Sequence, residues 1–288
     1  MSGGRMLGIA LALGSAVAHT GWNTLSKAGA SGGTAFVWLC TAIGALVVLP
    51  VALVVVHAQG LVPTWSWLGA GAVGAVLHGG YSLVLQAGHR RGEVSVVYPV
   101  SRGLAPVLVA VLGVVLFGQR LGIPSVVGIV LIALSVLLLL RDGARGRGGG
   151  VGWGALTAVV IAAYTLWDAA VVVAWGISPV PYYAVVAVLQ LGMITVVARG
   201  GIGAGLLRDR RRIGLAAAVG VLIPLSYVLS LLALEHAPVA EVAALRSTSI
   251  VMSGLVAWIA LGERLSARRV VSATLATGAV ILIAVSAT

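Results

Sequence analysis

"FGQRL", Phe117–Leu121, closes an apolar block that begins at Val94, and "LGERL", Leu261–Leu265, closes another that begins at Val239. Arg120 and Arg264 stand 144 residues apart, and at that same distance Arg102, inside the first block, falls on Arg246, inside the second. A further landmark agrees within one residue: "TGWNTL" at 20–25 meets "YTLWDA" at 164–169, pairing Trp22 with Trp167 and Asn23 with Asp168. The chain therefore reads as two copies of one unit, with a positive charge repeated in the middle of an oily stretch.

Composition says what surrounds those copies. Of 288 residues, 60% are hydrophobic and 9% charged, with a mean hydropathy of +1.12. A soluble domain carries roughly 25% charged residues, so this chain cannot cover a water-facing surface and reads as an all-α integral membrane protein. Blocks bounded by Gly, Pro or Arg predict ten spans of about the 20 residues a bilayer requires. They run over Met6–Lys27, Thr34–His57, Trp67–Gly88, Val94–Phe117, Pro124–Leu140, Val151–Trp175, Pro181–Ala198, Ile213–His236, Val239–Leu261 and Arg268–Val285. The first of these, with a basic residue, an apolar run and Ala16-Val17-Ala18, has the look of a secretory leader. As the repeat partner of the sixth block it is expected to stay in the mature fold. The halves are then 1–140 and 151–288, joined by the linker "RDGARGRGGG" at 141–150.

Charge placement orients the blocks. The net charge of +11 would suggest nucleic acid in a soluble protein, but here the basic residues lie between spans. Odd-numbered loops hold fourteen of them, from Lys27 through Arg269, against Arg5 and Arg120 on the opposite side. The positive-inside rule puts the odd loops in the cytoplasm of a cell-membrane protein, with both termini outside. Five spans per half then force the copies into opposite orientations. Such inverted repeats are a common transporter plan, with the site near the midplane between them.

Two five-helix halves, each with "G(Q/E)RL" between its fourth and fifth helices, resemble the EamA type of the drug/metabolite transporter superfamily over nearly the whole chain. The resemblance implies a ten-helix carrier of small metabolites. It also implies a central cavity lined mainly by the first, third, fourth, sixth, eighth and ninth helices. The superfamily moves amino acids, nucleotide sugars, phosphorylated sugars and drugs. Gln119 stands where the second half has Glu263, which argues against an acidic role at that loop position in the first half.

Polar side chains recur on those helices at three- and four-residue spacing, which puts them on one face. His19, Trp22 and Asn23 do so in the first span, His78 and Tyr81 in the third, and Tyr98, Ser101 and Arg102 in the fourth. Tyr164, Trp167 and Asp168 repeat the pattern in the sixth, and Arg246 leads a thinner line in the ninth; Tyr227 lies on the eighth. Lipid penalises every such stripe, so a shared polar cavity is the expected destination. An arginine at the centre of a span costs roughly 2.5–3.5 kcal/mol on insertion scales and marks function by default. Reckoned along the spans, Asp168 and Arg246 both fall in the outer half of the membrane, so Arg246 is expected to pair with Asp168. Arg102, opposite neutral Asn23 on the cytoplasmic side, is expected to receive the anionic group of a cargo through its forked donors.

The expected activity is secondary transport of a small polar metabolite with a carboxylate, phosphate or phosphonate, by alternating access. His19, His78 or Asp168 could couple it to protons. No phosphate loop, H-E-x-x-H or cysteine metal motif occurs, and Cys40 is the only cysteine, so no cofactor, metal or ATP drive is expected. The alternatives are an exporter of amphipathic or cationic compounds through Asp168 and, more remotely, a scaffold or an intramembrane enzyme built on Asp168 with His19 or His78.

Overall fold

The computed structural model describes residues 2–29, 33–91, 94–138, 150–197, 209–261 and 267–285. They form helices and connecting turns, with no strand among the described residues. The helices are α1 (Ser2–Gly29), α2 (Gly33–Ala58), α3 (Trp65–Arg91), α4 (Val94–Phe117), α5 (Ile123–Leu138), α6 (Gly150–Ala169), α7 (Pro179–Val197), α8 (Arg210–Leu234), α9 (Val239–Ser247), α10 (Ser249–Leu261) and α11 (Ala267–Val285). A π-helical turn, Ala170–Ala174, prolongs α6. Among the described residues, six apolar stretches are long enough to cross a membrane: Ala35–Ala58, Trp65–Leu85, Val100–Phe117, Gly150–Ala174, Pro179–Val196 and Arg210–Leu234. Ile123–Leu138 and Val270–Ile283 are apolar but shorter. Large aliphatic side chains such as Leu46, Leu53, Leu83, Val115 and Ile259 lie exposed on the outside. Water would not tolerate so much exposed apolar surface. This is a multi-pass membrane protein.

Local chemistry explains where the helices stop. Gly118 has φ 60°, a left-handed conformation that ends α4 at little steric cost and accounts for the glycine of "FGQRL". Its counterpart in "LGERL" lies outside the described residues, as do the linker arginines Arg141, Arg145 and Arg147. Asp209 caps α8, accepting from the backbone N–H of Arg211 at 3.0 Å and of Arg212 at 3.2 Å. The block expected as one ninth span is two helices. Thr248 N–H bonds back to Leu245 O at 3.1 Å rather than one residue further, and its hydroxyl donates to that same carbonyl at 2.6 Å. Hydroxyls that bond back in this way bend or break helices. The prolines behave otherwise: α4 continues through Pro99 and Pro106, and α8 through Pro224.

Packing interleaves the first and second parts of the chain. α1 lies along α8, α3 along α6, α2 against α7 and α8, and α3 against α7 as well. α4 packs on α6 and α9, α1 on α9 and α10, and α5 on α11. Hydroxyls stitch these seams where lipid offers no hydrophobic drive. Ser15 donates to Ser226 O at 2.6 Å while Ser226 donates back to Ser15 O at 3.0 Å. Trp38 Nε1 donates to Thr195 Oγ1 at 2.9 Å, and Ser272 to Ser135 O at 2.6 Å.

Gly154 brings α6 onto α4 most closely. A Cβ there would stand 2.6 Å from Val100 Cβ and 3.0 Å from Val97 O. Gly154→Val is therefore expected to push α4 away and destabilise the protein by about 1–3 kcal/mol or more. Gly152→Ala, at a position with open space beside it, is expected to leave the midpoint unchanged. Thermal unfolding of the two purified variants checks this.

Candidate functional site

Asp168, near the end of α6, is 3% exposed and surrounded by hydrogen-bond donors. Tyr182 of α7 donates to its Oδ1 at 2.6 Å, Tyr227 of α8 donates to its Oδ2, and His78 Nε2 of α3 lies 3.4 Å from that same oxygen. The His78 ring also hydrogen-bonds the Tyr227 hydroxyl, so a line of polar groups runs His78–Tyr227–Asp168–Tyr182 across four helices. Tyr182 reaches Asp168 over Gly74, where a Cβ would come within 2.6 Å of the phenol oxygen. Glycine at 74 keeps that passage open. Tyr164 continues the cluster, its ring 4.3 Å from that of His78 and 5.7 Å from that of Tyr81.

Two arginines, Arg102 buried on α4 and Arg246 half-buried on α9, meet this cluster. Arg102, 9% exposed, donates from Nη2 to the Tyr81 hydroxyl at 2.9 Å. Arg246 stacks over the Tyr227 ring at 5.1 Å from its centroid, a cation–π arrangement. No ion pair joins Arg246 to Asp168, whose oxygens are held by the phenols and His78. The expected pairing is corrected accordingly: α7 and α8 bring their tyrosines to the carboxylate, and the guanidinium lies over a ring.

The two arginines, from different parts of the chain, come to one place. Both line one cavity of about 20 Å³, together with Pro106, Tyr164 and Ser247. A second cavity of about 20 Å³ lies between Asp168, Tyr227, Ser230 and Arg246. Each space is water-sized. His19 of α1 is buried. Neither of its ring nitrogens, nor Arg246 Nε, has a hydrogen-bond partner among the described residues. Buried polar atoms are nearly always bonded, to protein or to ordered water.

The remaining expected residues fall in different places. Trp22 lies T-shaped on His19 at 4.6 Å but otherwise packs with Leu25, Phe36, Cys40 and Val219 between α1, α2 and α8. Trp167 braces α6 against α3, donating from Nε1 to Ala70 O at 3.1 Å, with its ring against Trp175. Ser101 is buried on α4 and Asn23 half-buried on α1. The side chains of Tyr98 and Lys27 lie outside those described. Among the described residues, no group of three or more His, Cys, Asp or Glu side chains gathers to hold a metal ion.

Three participants were not foreseen. Tyr182 and Tyr183 open α7, a helix not expected to line the site; Tyr183 stacks on Tyr227 at 4.9 Å. Glu241, three residues into the ninth block, is fully buried and ion-paired to Arg5. The signal for Glu241 was available: it is acidic, inside an apolar block, and separated from Arg246 by little more than one helical turn.

Residues 6–141 match the model of the EamA-like transporter family. No curated protein matches the sequence. Among solved structures, a chain titled only as the crystal structure of a protein superposes with a TM-score of 0.74 at 18% identity. The match covers 96% of this chain and 95% of the other, and at that identity it speaks for the fold alone. Over residues 6–141 the chain is therefore similar to the EamA-like transporter family, a family of the drug/metabolite transporter superfamily.

Proposed function

We propose that this protein is a secondary transporter that moves a small polar organic molecule bearing an anionic group across the cell membrane by alternating access. Ten spans form two inverted halves, 1–140 and 151–288, with the odd loops cytoplasmic, both termini outside, and 141–150 as the cytoplasmic linker. The packing supports this plan because its main contacts recur when the halves are exchanged. α1 on α8 answers to α6 on α3, α2 on α8 to α7 on α3, and α4 on α6 to α9 on α1.

One observation carries the cargo reading: guanidiniums at equivalent positions of the two halves, Arg102 and Arg246, face a single cavity in the membrane interior. Two planar donor forks converging in low dielectric favour a carboxylate, phosphate or phosphonate. His19 would take a further polar atom of the guest. Tyr81, Tyr164 and Tyr227 would flank its organic body, and a zwitterion such as an amino acid fits the same surroundings. Because each space is water-sized, cargo enters only after the helices part. His78, Tyr227 and Asp168 form a hydrogen-bonded path through which a proton could accompany transport. Export of cations through Asp168 has less support, since phenols occupy both carboxylate oxygens.

A thermal-shift panel of charged metabolites on the purified protein tests the reading. Anionic or zwitterionic compounds are expected to raise the midpoint of the parent. Arg246→Gln is expected to weaken them by about tenfold, the loss of one charge-assisted hydrogen bond. A panel in which only cations act, with Arg246→Gln unaffected, would reverse the assignment.

A further inference from the structure

α1, α5 and α9 begin at the same end of the protein, and their first turns hold a buried charged knot. Arg5 of α1 is ion-paired to Glu241 of α9, with Nε 3.3 Å from Oε2 and Nη2 against Oε1. That same Nη2 donates to Ser125 Oγ of α5 at 3.1 Å, and the Ser125 hydroxyl donates to Glu241 Oε1 at 2.6 Å. Beside the knot, α1 sits hard on the turn before α9: a Cβ on Gly8 would stand 2.8 Å from that of Ala237. This end is shut by contact as well as by charge.

We propose that Arg5, Ser125 and Glu241 are the latch of the gate at this end of the transport path. The inference rests on the transport reading above. Three features suit the knot to opening and closing rather than to permanent bracing.

Glu241 is fully buried, whereas the Arg5 side chain is 26% exposed, so Arg5 is the partner that can swing toward water. The carboxylate left behind lies in the first turn of α9, where the helix dipole favours a negative charge. With the Ser125 hydroxyl still donating to Glu241, the carboxylate keeps part of its compensation, and the cost of losing Arg5 holds the latch shut at rest.

The third feature is α9 itself. It is a nine-residue rod bounded by Pro238 and by the break at Thr248. Glu241 sits near one end and Arg246, which lines both cavities, near the other. Five residues separate them, roughly 7.5 Å along the axis. A tilt of this rod moves the latch and the cavity wall together, and the tightened turn at Thr248 gives it a place to bend against α10.

The test needs no cargo. The full chain carries Cys40→Ala and a probe, Ser247→Cys, on the cavity wall, and is placed in oriented vesicles. A membrane-impermeant maleimide is applied to each face in turn. Glu241→Gln and Arg5→Gln are each expected to raise labelling about tenfold from the face bearing Arg5, with little change from the other, as expected when a closed population is partly opened. The double variant is expected to label no faster than either single one, because the two remove the same contact.

Parent-rate labelling from the Arg5 face would overturn the latch. Equal gains from both faces would also overturn it, since they mean general loosening, and so would independent effects of the two substitutions. A faster Ser247→Cys reaction in a protein that no charged metabolite stabilises would leave the gate standing and count against the cargo reading alone.

Discussion

Arg102→Gln is expected to abolish most ligand-induced stabilisation and transport while leaving the unliganded protein as stable as the parent or more so. The two effects have one origin. A guanidinium inside a span costs roughly 2.5–3.5 kcal/mol on insertion scales, so replacing it removes a cost from the empty protein. Its value is realised with a guest: losing charge-assisted hydrogen bonds to an anion amounts to about 1.5–3 kcal/mol, or roughly tenfold to 150-fold in affinity. Titration of an anionic ligand against the thermal midpoint gives both quantities in one experiment. If the unliganded midpoint falls and the ligand response survives, Arg102 is a brace on Tyr81 and the cargo reading loses its centre.

Asp168→Ala is expected to do the opposite, harming the empty protein first. Its removal leaves the Tyr182 and Tyr227 hydroxyls and His78 facing each other without their shared acceptor. Each buried donor left unsatisfied costs about 1–3 kcal/mol. A chain of this size loses a few degrees per kcal/mol, so the midpoint should fall by about 10 °C. Asp168→Asn, which keeps one acceptor oxygen, should fall by less. A fall for Arg102→Gln as large as that for Asp168→Ala would mean that the site is one structural network without a binding side.

Those opposed signs were only half legible in the sequence. Arg102, Arg246 and Asp168 stand out because hydrocarbon makes each charge conspicuous, and the apolar blocks stand out for the same reason. The described helices fall on those blocks. Who touches whom was another matter. Depth along a span placed Asp168 beside Arg246, yet the carboxylate is met by Tyr182, whose position at the start of an apolar block reads as an interfacial aromatic. Glu241 was visible as an acidic residue inside an apolar block, but its partners were not, since Arg5 and Ser125 lie 236 and 116 residues away in the chain. Trp22 shares a face with His19 by periodicity, but its ring is long enough to leave that face and pack beside Phe36. Periodicity assigns a direction to a side chain, and the length of an aromatic ring can override it.

The small volume beside the two arginines bears on how the membrane survives this protein at rest. A cell stores work as differences in ion concentration, and any continuous thread of water across the bilayer would short-circuit that store. Here the space has room for about one water, and the fixed positive charges on its wall repel protons and metal cations. The idle carrier should therefore behave as an electrical insulator.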